Sequence, residues 1–493
     1  MKKKKKGNRK NTKRWQQYMK QPQFWMVAIM VVLSLYFVYQ IWDLNVLPLK
    51  YFLPIVALLI LFDFALWWLQ YGKNISKLNR NLGKGLLVIL CLVLGVGNVY
   101  AYQARAALGK VNSDDEYEFI SVVVEKDSPA EKIEDVKDGT FAITQTMDRE
   151  NTQKTILDIN EEVDQSIHTE AYDNLDACAD ALYDKTVDAM ILNEAYRSLL
   201  DENHPSFNED TRVIYTFKIK KKVTNLGSKV NVTEEPFNVY ISGIDTYGPI
   251  ATKSRSDVNM IATINPQTRQ ILLTSIPRDY YVAQTCQANE QDKLTHTGIF
   301  GIDCTLSTME QFTGLTMNYY ARVNFSSLED IVDAIGGIDV YNEIGFNSGV
   351  DGTLIPAGNV HMDGSTALKF SRERHAYADG DRQRGRNQMI VLSAIIDKAT
   401  SPAIITGYSS IMNTVGDTFQ SNMDSDEMMS LIKMQLNEGG SWHITSQSVD
   451  GSGANGIWSP ANQSYSYMMY PDMDSVNAAL LEIQKVMDGA ILE

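Results

Sequence analysis

Three apolar runs, Phe24–Trp42, Tyr51–Leu69 and Gly85–Tyr102, follow a polar start, each close to the ~20 residues that cross a hydrocarbon core. After them the pattern changes to short units. EFISVVVEK, GTFAITQT and RVIYTFKI read as strands, AYDNLDACADALYDKT and NEAYRSLLDEN as helices, which predicts an α/β accessory domain over residues 112–222. Two of its pieces, EDVKDGTFAITQT and ALYDKTVDAMILNEAYRSLL, resemble one lobe of periplasmic solute-binding proteins. A single lobe lacks the opposing half of a ligand clamp, so a contact role is the expectation. A polar, Gly/Pro-punctuated linker follows over 223–236. From Phe237 strands and helices alternate again: FNVYISGIDT, two strands joined at Asn265-Pro266, a helix near FGIDCTLSTMEQFTG, the strand NYYARVNF and the helix SSLEDIVDAIGGI. Such alternation predicts a layered α/β domain over 237–493, with helices packed on a sheet. Its last part reads as a helix (DSDEMMSLIKMQLN), a strand (WHITSQSVDG), a Gly/Ser/Asn-rich loop and a final helix (DSVNAALLEIQKVMDG).

Charge orients the apolar runs. The 493 residues carry a net charge of -15, but through Lys110 there are 17 Lys+Arg against 2 Asp+Glu, which leaves 28 against 58 for the remainder. Positive charge precedes the first run and lies between the second and third (Lys73, Lys77, Arg80, Lys84). The positive-inside rule therefore makes residues 1–23 a basic cytoplasmic tail and residues 24–102 three transmembrane helices, and an odd number of spans sends the rest outside the cell. Trp25, Trp42, Trp67 and Trp68 fit interfacial belts. Asp63, with no evident partner, reads as a packing position. The acidic body argues against nucleic acid as a partner. Cys286 and Cys304, 18 residues apart in the external part, are a candidate disulfide, and no spacing supports a zinc site.

The densest chemistry lies in KFSRERHAYADGDRQRGRNQ, residues 369–388. ALKFSRER reads as a strand, with Arg372 and Arg374 on one face. RGRNQMIVLSAIIDKAT reads as a helix, with Arg384 and Gln388 on one side and Met389, Leu392 and Ile396 on another, and HAYADGD is the turn between them. Several guanidiniums and a helix start would converge on one point, a setting for phosphate or pyrophosphate. Other charges cluster at strand ends: Asp245 after Gly243, Arg255 with Asp257, and Arg278 before Asp279. Asp245 and Asp257 are candidates for sharing a magnesium ion, which takes one or two carboxylates plus phosphate oxygens. His296 and His375 read as solvated loop residues, and Trp442 and Trp458 as core more readily than as sugar-stacking groups.

GIDTYG, RSDVNMIATINPQTRQILLTSIPRD, KLTH, VNFSSLEDIVDAIGGIDV and KFSRERHAYADGDRQRGRNQ together resemble the LytR-CpsA-Psr family of Gram-positive cell-envelope proteins over about Phe237–Ala399. The three spans and extra external domain are most similar to its capsular CpsA branch. The resemblance implies a magnesium-dependent phosphotransferase that takes a glycopolymer from an undecaprenyl-pyrophosphate carrier and attaches it to peptidoglycan. It places pyrophosphate binding on Arg255, Arg278, Arg372, Arg374, Arg384 and Gln388, with Lys293 in a family motif beside them. It places the metal on Asp245 and Asp257, and makes Asp381 an orienter of arginines or a base, so that Arg278, Arg372, Arg374 and Asp381 carry the chemistry. Implied partners are the lipid-linked polysaccharide, peptidoglycan, the membrane and capsule-assembly proteins. Two alternatives stand beside this expectation: a non-catalytic regulator of capsule biosynthesis that binds lipid-linked intermediates, and a polyprenyl-pyrophosphate hydrolase.

Overall fold

The computed structural model describes residues 19–111, 115–222, 227–244, 250, 252–377, 380–401 and 419–492, with the side chains of 107–111, 115, 222 and 381 outside the description. The described residues fall into two units. One comprises the amino-terminal helices together with residues 424–440, the other the remainder.

In the first unit, helices α1 (Pro22–Leu44), α2 (Leu49–Tyr71) and α3 (Lys77–Val111) contain the three apolar runs, and all are long and apolar enough to cross a membrane. Polar side chains pair between them. Ser34 donates to Asp63 at 3.2 Å, and Gln40 donates to Asn98 at 3.0 Å. Asp63 thus has the helix-packing partner that its sequence surroundings did not show.

Among the described residues, the two largest sheets of the second unit have five and six strands. Strands β1 (Asp115–Glu125), β2 (Thr140–Thr144), β3 (His168–Tyr172), β4 (Ala189–Asn193) and β5 (Thr211–Lys222) pair in the order β3-β2-β4-β1-β5. Helices α4 (Arg149–Glu162) and α5 (Leu175–Tyr183) supply buried residues to its core, such as Ile159 and Leu182. A 3-10 helix, Glu194–Glu202, leaves β4, held by the Asn193 side chain accepting the Ala195 N–H.

The larger sheet is mixed. Strands β6 (Phe237–Ile244), β7 (Ser256–Asn265), β8 (Gln270–Ile276), β9 (Tyr319–Val323), β10 (Gln420–Ser421) and β11 (His443–Ser448) pair in the order β10-β9-β6-β7-β8-β11, with β9·β6 and β11·β8 parallel and the other pairs antiparallel. Every residue of β8 is buried, as expected of a strand covered on both faces. Alternation assigns Tyr240 and Ile261 to one face, packed with Leu306 and Met309 of α6 (Ile302–Thr313) and with Val476 and Ala479 of α11 (Met473–Met487). Ile241 and Met260 point to the other face, toward α7 (Phe325–Ala334), α8 (Gly364–Arg372) and α9 (Asp381–Thr400). Gly243 permits this pairing, because a Cβ there would lie 2.6 Å from the Val258 side chain.

Two local expectations are corrected. The segment before the arginine turn is helical, not extended: Asp363 caps α8 by accepting the Thr366 N–H, and Ala367, Leu368, Phe370 and Ser371 form its buried stripe. The Gly/Ser/Asn-rich loop is a hairpin, β12 (Gly451–Ser459) with β13 (Ser464–Pro471), in which Trp458 faces Tyr465. Helix α10 (Ser425–Glu438), read correctly as a helix, groups with the amino-terminal unit.

Candidate active site

Between the outer face of the larger sheet and helices α7, α8 and α9 lies a cavity of about 810 Å³. Along β7, from Arg255 to Met260, and along α9, from Arg384 to Ile395, its lining changes from cationic to apolar, so its two ends differ in chemistry. One is apolar, lined by Ile241 and Met260 from the sheet and Leu328, Ile331, Leu392 and Ile395 from the helices. The other collects Arg255, Arg278, Lys293, Arg372, Arg374, Arg384 and Gln388. The structure therefore brings together every described pyrophosphate candidate. Asp245 lies outside the described residues, as does the side chain of Asp381.

Local folding explains the convergence. Arg255 immediately precedes β7, and Arg278 lies just beyond β8, the adjacent antiparallel strand, so strand pairing sets them side by side. Asp257 lies between them: Arg278 Nη1 is 2.5 Å from its Oδ2, Thr295 Oγ1 donates to its Oδ1 at 2.8 Å, and Arg255 Nε is 4.0 Å from Oδ1. Burial alone would raise the pKa of Asp257. The guanidiniums of Arg278, Arg255 and Arg384 and the Thr295 hydroxyl outweigh burial and hold the carboxyl well below the usual carboxylate range. It is therefore an anion throughout the physiological range.

Arg372 ends α8 with its guanidinium 4.2 Å above the Phe325 ring, a cation–π contact that fixes its direction. The next residues are held by Glu373, which is 4% exposed. Its Oε1 accepts the backbone N–H groups of Arg374, His375 and Ala376 at 3.0, 2.8 and 3.0 Å, and its Oε2 accepts that of Gly349 at 2.9 Å. Burial pushes the Glu373 pKa up, but these four N–H donors overcome it and keep the carboxyl low. Gly380, at φ +52°, begins α9, and buried Asn387 ties α9 to α8 by donating to Phe370 O at 3.1 Å. Arg384 and Gln388 are thereby registered against Arg372 and Arg374.

Lys293 and Thr295 are braced from behind. Asp292, 2% exposed, meets His296 Nδ1 at 3.0 Å and accepts from Ser459 Oγ at 2.9 Å and from the Ala461 N–H at 2.9 Å. His296 is thus a buried structural partner, not the solvated residue expected, because its ring is enclosed with a carboxylate. Cys286 and Cys304 form a disulfide beside this loop, with their Cα atoms 5.4 Å apart. Trp442 is buried, whereas Trp458 is 47% exposed on the hairpin.

Sequence reasoning missed Phe325, Glu373 and two acids from the smaller sheet's domain, Asp201 and Glu202, which also line the cavity. Glu373 stood within the arginine motif, where a carboxylate followed by three polar or small residues signals backbone capture. Asp201 and Glu202 carry no signal in a one-dimensional reading.

As a divalent-cation ligand, Asp257 fits in charge and hardness, since it is ionised and faces the arginine end. Among the described residues no group of three metal-ligating side chains is present.

Comparison with known proteins adds to this geometry. The model of the LytR_cpsA_psr family matches residues 203–481. A second model, described as DNA polymerase processivity factor, matches residues 79–192, across α3 and most of the smaller sheet. The polyisoprenyl-teichoic acid–peptidoglycan teichoic acid transferase TagU of Bacillus anthracis (strain CDC 684 / NRRL 3495) is 35% identical over 211 residues, 43% of this chain and 68% of the relative. TagU of Enterococcus faecalis is 35% identical over 42% of this chain and 67% of its own length. Among solved structures, B. subtilis TagV aligns with a TM-score of 0.44 at 25% identity, covering 52% of this chain and 99% of that one. TagT bound to LIIa-WTA aligns with a TM-score of 0.43 at 26% identity, covering 53% and 94%.

Proposed function

The chain belongs to the LytR_cpsA_psr family, and from that premise we propose that it is a membrane-anchored phosphotransferase that moves a capsular or related polysaccharide from an undecaprenyl-pyrophosphate carrier to peptidoglycan. The observation that carries this reading is the two-ended cavity, with an arginine cluster at one end and an apolar channel at the other, the complement of a polyprenyl pyrophosphate. The relatives TagU, named as transferases of polyisoprenyl-linked teichoic acid to peptidoglycan, support it.

In this reading α1, α2 and α3 span the membrane with the amino terminus in the cytoplasm, and the second unit lies outside the cell. The reaction is displacement at phosphorus. An acceptor hydroxyl oxygen bonds to the glycan-bearing phosphorus, the bond to the bridging oxygen breaks, and polyprenyl phosphate leaves with that oxygen. The hydroxyl proton passes to a base, for which Asp381 is the candidate. Negative charge grows on the bridging oxygen as the bond breaks, so Arg255, Arg278, Arg372, Arg374 and Arg384 stabilise the transition state more than the ground state. Planar guanidiniums suit this task because each can hold two oxygens. Gln388 and Lys293 complete the head-group contacts. Magnesium, held by Asp257 and Asp245, would neutralise part of the pyrophosphate charge.

The test uses the full chain in nanodiscs with a lipid-pyrophosphate glycan, peptidoglycan fragments and magnesium, with Arg374→Ala as control. The expected result is a phosphodiester-linked glycan on the fragment, seen by mass spectrometry and lost in the control. Phosphate release without linked product would replace transfer by hydrolysis, and lipid binding with neither product would leave a regulator.

A further inference from the structure

The smaller sheet's domain docks against the strand-end segment that carries Arg255. In β1 the alternation puts Glu116 and Glu118 on one face, and Tyr117 between them forms a β-bridge with Thr252. Glu118 Oε1 accepts from Lys253 Nζ at 2.8 Å, and Glu116 Oε1 accepts from Arg322 Nη1 at 2.9 Å. Arg322 also donates to Thr252 O at 2.9 Å, and Lys253 to Phe300 O at 2.9 Å. Lys253, Arg322, Glu116 and Glu118 are each 5% exposed or less. Two residues further on, Arg255 Nη2 donates to Asp201 Oδ2 at 3.2 Å, and Asp201 comes from the 3-10 helix of the same domain.

Among the described residues Arg255 therefore stands between two carboxylates, Asp201 at 3.2 Å and Asp257 at 4.0 Å. We propose that Asp201 is a positioning residue which holds the Arg255 guanidinium off Asp257. The smaller domain is then part of the catalytic unit. Among the described residues, the carboxylate that remains beside Arg255 without Asp201 is Asp257, already paired with Arg278. Collapse onto it would withdraw Arg255 from an incoming anion. Misdirection of one clamp arginine is costly in a preorganised site. This inference rests on the pyrophosphate reading of the site.

The distinguishing feature is the sign. Removing a negative charge from a cationic pocket strengthens anion binding by simple electrostatics, whereas loss of a positioning contact weakens it. Binding of inorganic pyrophosphate to the full chain in nanodiscs, measured by calorimetry with and without magnesium, separates the two. Asp201→Ala and Asp201→Asn are expected to weaken binding roughly fivefold, on the scale of a partly exposed ion pair. Asp201→Glu is expected to restore it to within about twofold, since it returns the charge to Arg255. Arg278→Ala is expected to lose well over tenfold, as removal of a partly buried charged donor does. Asp201 is itself 42% exposed at its side chain, so these variants leave the core intact. Unchanged or tighter binding in both Asp201→Ala and Asp201→Asn, with Arg278→Ala impaired, would overturn the positioning role alone. Arg278→Ala binding like the native chain would overturn the pyrophosphate reading itself.

Discussion

Glu116 and Arg322 lie 206 residues apart in the chain and 2.9 Å apart in space, both almost fully buried. Burying such a pair brings little net stability, but breaking it strands a charge away from water. Arg322→Met is therefore expected to destabilise the protein by about 3–5 kcal/mol. Adding Glu116→Gln should recover part of that loss, because among the described residues the buried carboxylate otherwise keeps only its longer contact, 3.5 Å to Lys253. Thermal unfolding of the two single variants and the double variant reads the coupling; strictly additive losses would refute it.

Arg278 bridges chemistry and architecture, since it pairs with Asp257 and lines the anion end of the cavity. Arg278→Ala is expected to lower kcat/KM for glycan transfer by roughly 100-fold or more, the scale of deleting a transition-state donor. Arg278→Lys should recover little, because an ammonium cannot reproduce the planar fork. Glu373→Ala should act through the loop it caps and reduce kcat/KM by about tenfold or more, together with a loss of stability of about 1–3 kcal/mol from the N–H donors left unpaired.

The apolar end is expected to serve the lipid alone. Ile331→Glu places a charge among Leu328, Leu392 and Ile395, and should weaken binding of a polyprenyl-pyrophosphate substrate by about tenfold or more while leaving inorganic pyrophosphate affinity within about twofold. Equal losses for both ligands would contradict the division of the cavity.

Asp148 in the smaller domain is pushed up to about 6, because burial and the nearby Glu118 charge outweigh hydrogen bonds from Asn193 and Asn151. An acid with a raised folded-state pKa binds its proton more tightly when folded, so its contribution to stability is largest below the unfolded value of 3.8 and falls as pH rises through about 6. At neutral pH the ionised side chain costs up to about 3 kcal/mol. Asp148→Asn should remove this slope, and matched melting curves at pH values spanning about 4 to 7 would show it as a difference that grows with pH.

Reduction of Cys286–Cys304, or their joint replacement by Ser, should cost about 2–3 kcal/mol, on the entropic scale of a short closed loop. The reductant-dependent shift in unfolding midpoint is the measurement.

Much of this was legible along the chain, for physical reasons that differ by element. The apolar helices announce themselves by composition, and Arg255, Asp257 and Arg278 could be placed because antiparallel strands joined by a short turn at Asn265-Pro266 bring their distal ends together. The α8 segment misled because its two-residue arginine spacing imitates a strand. What decides it is the Asp363 cap and the buried Ala367, Leu368 and Phe370, a helical stripe that the arginine alternation masks. The β12–β13 hairpin was hidden by glycine and serine, whose low strand propensity is overridden by Trp458 and Tyr465 packing across the pair. Asp201 was beyond reach altogether, since only docking of one domain on another brings it to Arg255.

The brace formed by Ser459 and Ala461 on Asp292 has a consequence in time. A nascent chain that has been synthesised as far as residue 458 already contains every arginine of the cavity and both halves of the disulfide, yet Asp292, behind Lys293 and Thr295, lacks its donors from Ser459 and Ala461. In the proposed function, competence for transfer thus arrives late in translation, when the β12–β13 hairpin closes, and unfinished chains held at the membrane would not compete for the lipid carrier.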